Sequence, residues 1–89
     1  MVAVSFARAF RRHVECPDAD VAGTTVAEVL AAYFADRPAA RSYVLDEAGA
    51  VRKHVAVFRN SDQIADRTTL SDPVEADDRI DVFQALSGG

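Results

Sequence analysis

The chain has 89 residues and a formal net charge of −4, which limits it to one small domain. A domain of this size buries only about 60% of the surface its unfolded chain exposes, and 17 of its apolar residues are Ala. The 27 larger apolar residues suffice for one compact core but not for a large active-site cleft, so a partner is expected to supply most of any reaction pocket. The acidic balance argues against nucleic acid as a partner, because neutralising phosphates takes a basic patch.

The acid is unevenly placed. Residues 60–81 hold seven carboxylates against only Arg67 and Arg79, a gradient that suggests steering toward a basic partner surface. A single Cys cannot form an intramolecular disulfide. No run approaches the roughly 18 apolar residues of a membrane span, and no basic region precedes the apolar start of the chain. A cytoplasmic location with no membrane partner is the resulting expectation.

In chain order, Val2, Val4 and Phe6 alternate with Ala3, Ser5 and Ala7, the period of a half-buried strand. The run His13-Val14-Glu15-Cys16, closed by Pro17, reads as a second strand, joined to the first by a hairpin turn at residues 8–11. Asp18–Gly23 reads as a loop. Thr25 and Glu28 have the spacing of a capping box, each satisfying the other's backbone donor. Val26, Val29, Leu30, Tyr33 and Phe34 follow at helical spacing, which predicts a helix over 26–36 that stops before Pro38.

Residues 39–42 add a short turn. Tyr43-Val44-Leu45 reads as a strand, Asp46–Gly49 as a turn, and Val51–Phe58 as a longer strand. Asn60-Ser61-Asp62 is a turn cluster, and Ile64 marks a short edge strand. Thr68–Asp78 is a loop with Leu70 and Val74 pointing inward. Ile80 and Val82 restore a strand up to about Ala85. The order β-β-α-β-β-β places one helix against a small sheet.

Two of only four glycines are the final two residues. At an average usage of about 7%, chance gives such an ending in roughly one chain in 200. With VAVFRNSDQI and LSDPVEADDRIDVFQALSGG before it, this ending resembles the MoaD/ThiS family of ubiquitin-like sulfur carrier proteins. Val57–Ser61 stands for the family's strand ending in Asn and a turn residue. Pro73-Val74 and Asp77–Ile80 stand for its "PL-x-x-GD-x-V" stretch, and Val82–Gly89 for its last strand and Gly-Gly end. The correspondence covers residues 54–89. It departs at Asp77, where the family usually has Gly, and at Gln84-Ala85, where Pro is common.

The resemblance implies an α+β, β-grasp (ubiquitin-like) fold, a small mixed sheet of four to five strands packed on one main helix. The domain is expected at 1–85, with a flexible tail at 86–89. It also implies that the protein is not an enzyme but a protein co-substrate. An E1-like adenylating enzyme uses ATP on the carboxylate of Gly89, a sulfur donor converts the adenylate to a thiocarboxylate, and a sulfur-acceptor enzyme takes the sulfur. Within the family three roles stand open: small subunit of molybdopterin synthase, thiamine-thiazole sulfur donor, or carrier for cysteine or tRNA thiolation. The chain's length and N-terminal hairpin resemble the molybdopterin type, so molybdopterin synthase large subunit or an analogue is the expected acceptor. No bound cofactor and no metal are implied.

The tail has properties suited to that role. Leu86-Ser87-Gly88-Gly89 reaches about 13–14 Å when extended, and Gly88 and Gly89 lack the Cβ that would obstruct a narrow channel. If Ile80 and Val82 face the core, Phe83 faces out, and inward Val55 and Val57 put Phe58 outside beside it. Phe58, Phe83, Leu86 and Ser87 are therefore the candidate partner-binding residues, with the acidic excess beside them. Cys16 reads as a buried thiol, His13 and His54 lack the spacing of a metal site, and Asp77-Asp78 reads as a turn. Two alternatives stand beside the carrier: a ubiquitin-like modifier joined to a target lysine, and a β-grasp adaptor that never uses its C-terminus.

Overall fold

In the computed structural model, residues 1–84 are described. Inward Val2, Val4 and Phe6 make β1 (Val2–Phe6). A one-turn helix α1 (Arg8–Arg11) follows, and β2 spans Ala19–Val21. Helix α2 (Val26–Ala35) and helix α3 (Pro38–Val44) come next. Then come β3 (Val55–Arg59), β4 (Asp62–Gln63) and β5 (Arg79–Gln84). The sheet order is β2-β1-β5-β3-β4. The central β1–β5 pair is parallel, and the flanking pairs are antiparallel. This is the mixed five-stranded β-grasp arrangement, with α2 as the main helix on one face.

Three local expectations fail, each for a physical reason. The strand paired with β1 is Ala19–Val21, with Val2 opposite Val21, not residues 13–16. A tight hairpin at 8–11 needs residues tolerant of positive φ, and Arg8-Ala9-Phe10-Arg11 offers none. The segment instead coils into α1, which buries Phe10 edge-on against Phe6 with ring centroids 5.7 Å apart. Tyr43 and Val44 belong to α3, because Pro38 at its first turn starts a helix as well as ending one. Only Leu45 forms an isolated bridge, to Val51. The strand expected from Val51 begins at Val55, since a turn closes there, with the Val55 amide donating to the Arg52 carbonyl.

The α2 start also differs in detail. Thr25 Oγ1 accepts from the Glu28 amide, but the Glu28 carboxylate reaches past Thr25 to the amide and hydroxyl of Thr24. The box is thus shifted by one residue on its return arm. The turns expected at Asp46–Gly49 and at Asn60-Ser61 form, whereas residues 39–42, expected as a short turn, lie within α3. Gly49 adopts φ +89°, which suits a residue without Cβ. Leu70 and Val74 are buried.

The core joins Val2, Val4, Val57, Ile80 and Val82 of the sheet to Val26, Val29, Leu30, Tyr33 and Phe34 of α2. Tyr33 is fully buried. Its hydroxyl donates to the Pro17 carbonyl at 2.7 Å, burial pushes its phenol up to about 12, and the Arg37 guanidinium covers its ring at 4.5 Å. Replacing Tyr33 by Phe removes the donor and leaves a carbonyl without its partner. The expected cost is about 1–2 kcal/mol, read as a lowered denaturation midpoint with an unchanged urea slope. Among the described residues no helix is long and apolar enough to cross a membrane.

Candidate functional site

Strand β5 lies between β1 and β3, so its inward residues Ile80 and Val82 are fully buried. Alternation turns Arg79, Asp81 and Phe83 to the opposite face. On β3 the same alternation turns Ala56 and Phe58 outward beside them, with Ala56 opposite Phe83 and Phe58 opposite Asp81. The two Phe rings meet on the diagonal in a T-shaped pair, centroids 5.5 Å apart and planes at 84°. Phe83 is 44% exposed and Phe58 is half-buried. The small residues Ser5 and Ala7 leave a cleft of about 200 Å³ beside Phe83 and Asp81. The expected aromatic pair is therefore assembled as read, on the strand that leads to the tail.

The start of β5 is pinned by a clasp. Asp78 is buried and accepts from Arg59 Nε at 2.6 Å, Asn60 Nδ2 at 2.7 Å and the Glu75 amide at 2.7 Å. Asn60 Oδ1 in turn accepts from the Arg79 amide. Asn60 and Ser61 both adopt positive φ, the demand of a tight hairpin between β3 and β4. The Glu75 amide first, then Asn60 and Arg59, hold the Asp78 carboxyl at about 2, below its ordinary 3.8.

A carboxyl depressed on folding stabilises the protein above its unfolded value, and that contribution disappears as pH falls through the folded value. The melting temperature should therefore drop between about pH 4 and pH 2. Asp78→Asn should lower it at neutral pH and flatten the acid fall. An acid profile identical in the variant and the parent would remove Asp78 from this role.

Other candidates take structural places. Cys16 is buried, and burial raises its thiol. His13 stacks on Tyr43 at 6.2 Å, and His54 is exposed. Asp77-Asp78 is a turn, as expected. Among the described residues no group of three His, Cys, Asp or Glu could hold a metal ion. Leu86, Ser87, Gly88 and Gly89, and the expected domain boundary after residue 85, lie outside the described residues.

The acidic run requires a correction. It was expected beside the tail, but Glu75, Asp77 and Asp78 precede β5, and Asp62 follows the β3 end that pairs with Ile80. The chain leaves the described sheet at Gln84, the other end of the strand, roughly 17 Å away. The gradient is legible in sequence, whereas its direction depends on strand order.

The ThiS family model matches residues 9–89. The chain belongs to the ThiS family. This ThiS-family protein is similar to SAMP1 from Haloferax volcanii, at 26% identity over 99% of this chain and 98% of that one, with a TM-score of 0.76. A chain of the Amycolatopsis orientalis BexX/CysO complex is 20% identical over 100% of both chains, with a TM-score of 0.83. CysO of Mycobacterium tuberculosis, described as an antigen, is 18% identical over 97% of this chain and 100% of that one, with a TM-score of 0.81. The two CysO likenesses speak for the shared fold. A comparison with curated proteins returned no match. As a ThiS-family member the protein is a small ubiquitin-like sulfur carrier and not an enzyme.

Proposed function

We propose that the carboxylate of Gly89 is the reactive group and that it carries sulfur as a thiocarboxylate. A free carboxylate acylates poorly because its oxygen is a poor leaving group. Adenylation by an E1-like enzyme with ATP releases pyrophosphate and makes AMP the leaving group. Hydrosulfide released by a sulfur donor then attacks the carbonyl carbon, a C–S bond forms as the bond to AMP breaks, and loss of a proton leaves the thiocarboxylate. An acceptor enzyme receives the sulfur for cofactor biosynthesis. A molybdopterin-synthase type of acceptor rests on chain length alone, since α1 replaces the expected tight hairpin, and the likeness to CysO chains makes a CysO-type acceptor the competing assignment.

The single observation that carries this reading is the family match, which runs through β5 to the Gly88-Gly89 end. The Phe58–Phe83 pair on the outer face of β3 and β5 supports it, because an aromatic patch on the strand that precedes the tail is suited to anchor a partner enzyme. Replacing both Phe58 and Phe83 by Ala should weaken association with the activating enzyme at least about tenfold. Calorimetric titration checks this, and unaltered affinity would exclude the patch as the docking face.

The modifier alternative draws on the likeness to SAMP1, named a small archaeal modifier protein. Immunoblots of host extract in denaturant separate the two. A carrier runs as the free chain alone, whereas a ladder of heavier, lysine-linked conjugates would make the protein a modifier.

A further inference from the structure

The end of β5 from which the chain departs is basic. Gln84, the last described residue, pairs with Val55, so Lys53 and His54 lie directly beyond it on one side. On the other side the Ala7 amide donates to the Val82 carbonyl, and directly after the Phe6–Val82 pair the chain turns into α1 at Arg8. Arg12 follows Arg8 by four positions, on the same side of the helical turn. Arg8, Arg12, Lys53 and His54 are all exposed.

The ion pairs among the described residues use other cations: Arg11 with Asp18, Arg59 with Asp78, and Arg79 with Asp81. The cations at the acidic end are therefore largely neutralised within the fold, while Arg8, Arg12 and Lys53 make no ion pair among the described residues. A protein that accepts residues beyond Gln84 must bring its surface over these cations. A basic surface would be repelled there, and an acidic one attracted.

We infer that Arg8, Arg12, Lys53 and His54 form an electrostatic docking face for an acidic protein surface, the rim of the channel through which the activating enzyme admits the tail. This rests on the carrier reading and adds the charge of the partner. It reverses the polarity that the acidic sequence segment suggests.

Stopped-flow association of the full chain with its E1-like enzyme, measured from low to high salt, tests the assignment. The triple variant Arg8→Glu, Arg12→Glu, Lys53→Glu should associate about tenfold more slowly at low salt. It should also lose most of the salt dependence and keep the parent melting temperature. Glu75→Lys with Asp77→Lys, at the far end, should associate as the parent does. Should the triple variant melt early, Lys53→Glu alone carries the test, with a smaller slowing of the same sign.

A triple variant that associates at the parent rate, yet still gains sulfur, overturns the docking face and leaves the carrier reading standing. Failure of the parent chain to gain sulfur removes the reading itself. Binding of the basic end to duplex DNA or anionic vesicles, with enzyme association unaffected by the substitutions, overturns the inference as well.

Discussion

Deleting Gly89 should abolish thiocarboxylate formation while leaving the melting temperature unchanged. The deletion shortens the reach of the tail by about 3.3–3.6 Å. A reacting carboxylate held in a channel tolerates little displacement, since about 1 Å of misplacement costs on the order of a hundredfold. Loss of at least that factor is therefore expected. The fold has no comparable stake in the residue, because the core contribution of β5 comes from Ile80 and Val82. Gly89→Ala should act in the same direction, by adding a Cβ at the point of narrowest approach. Sulfur loading of the deletion variant at the parent rate would refute the role of Gly89, and a large drop in melting temperature would refute its separation from the fold.

Truncating Ile80 to Ala should have the opposite profile, with stability lost first and function lost with it. Ile80 is fully buried, opposite Val4 of β1 and Arg59 of β3. Removing its branched side chain forfeits transfer energy and leaves a cavity, at a cost of about 2–5 kcal/mol. A domain of this size stands at the low end of the usual range of about 5–15 kcal/mol. Each kcal/mol moves the midpoint by about 4–8 °C, so calorimetry should register a fall of at least about 8 °C. A cost below about 1 kcal/mol would mean that the β1–β5–β3 layer relaxes around the gap.

The two variants together separate the roles of one strand. Its inward side chains hold the grasp fold, and under the proposed function its outward side chains and the residues beyond Gln84 are the ones that would serve the partner. Sequence alternation made this division readable: Ile80 and Val82 point in, Phe83 and Phe58 point out, and the two rings meet as expected. The α2 face was equally readable, because Val26, Val29, Leu30, Tyr33 and Phe34 repeat at helical spacing beside a Thr cap.

What alternation does not encode is pairing between distant segments. Ala19–Val21 carries a single polar–apolar repeat and became a strand only because β1 offered it an edge. His13–Cys16 has the better strand pattern, yet burial of Phe10 in α1 directs the chain past it. The Asp78 clasp joins residues 18 and 19 positions apart, and its members look like two unrelated turns in the sequence. For the same reason the acidic run seemed adjacent to the tail. It is close in sequence, but an extended strand separates the two ends in space.

Intact-mass measurement of the full chain after incubation with ATP, a sulfur donor and the host's E1-like enzyme tests the central claim most directly. The account predicts a mass gain equal to exchanging one oxygen for one sulfur, dependent on ATP and mapped by fragmentation to Gly89. An unchanged mass under conditions where the enzyme loads its own established carrier, or a sulfur atom mapped to Cys16 instead, would contradict it.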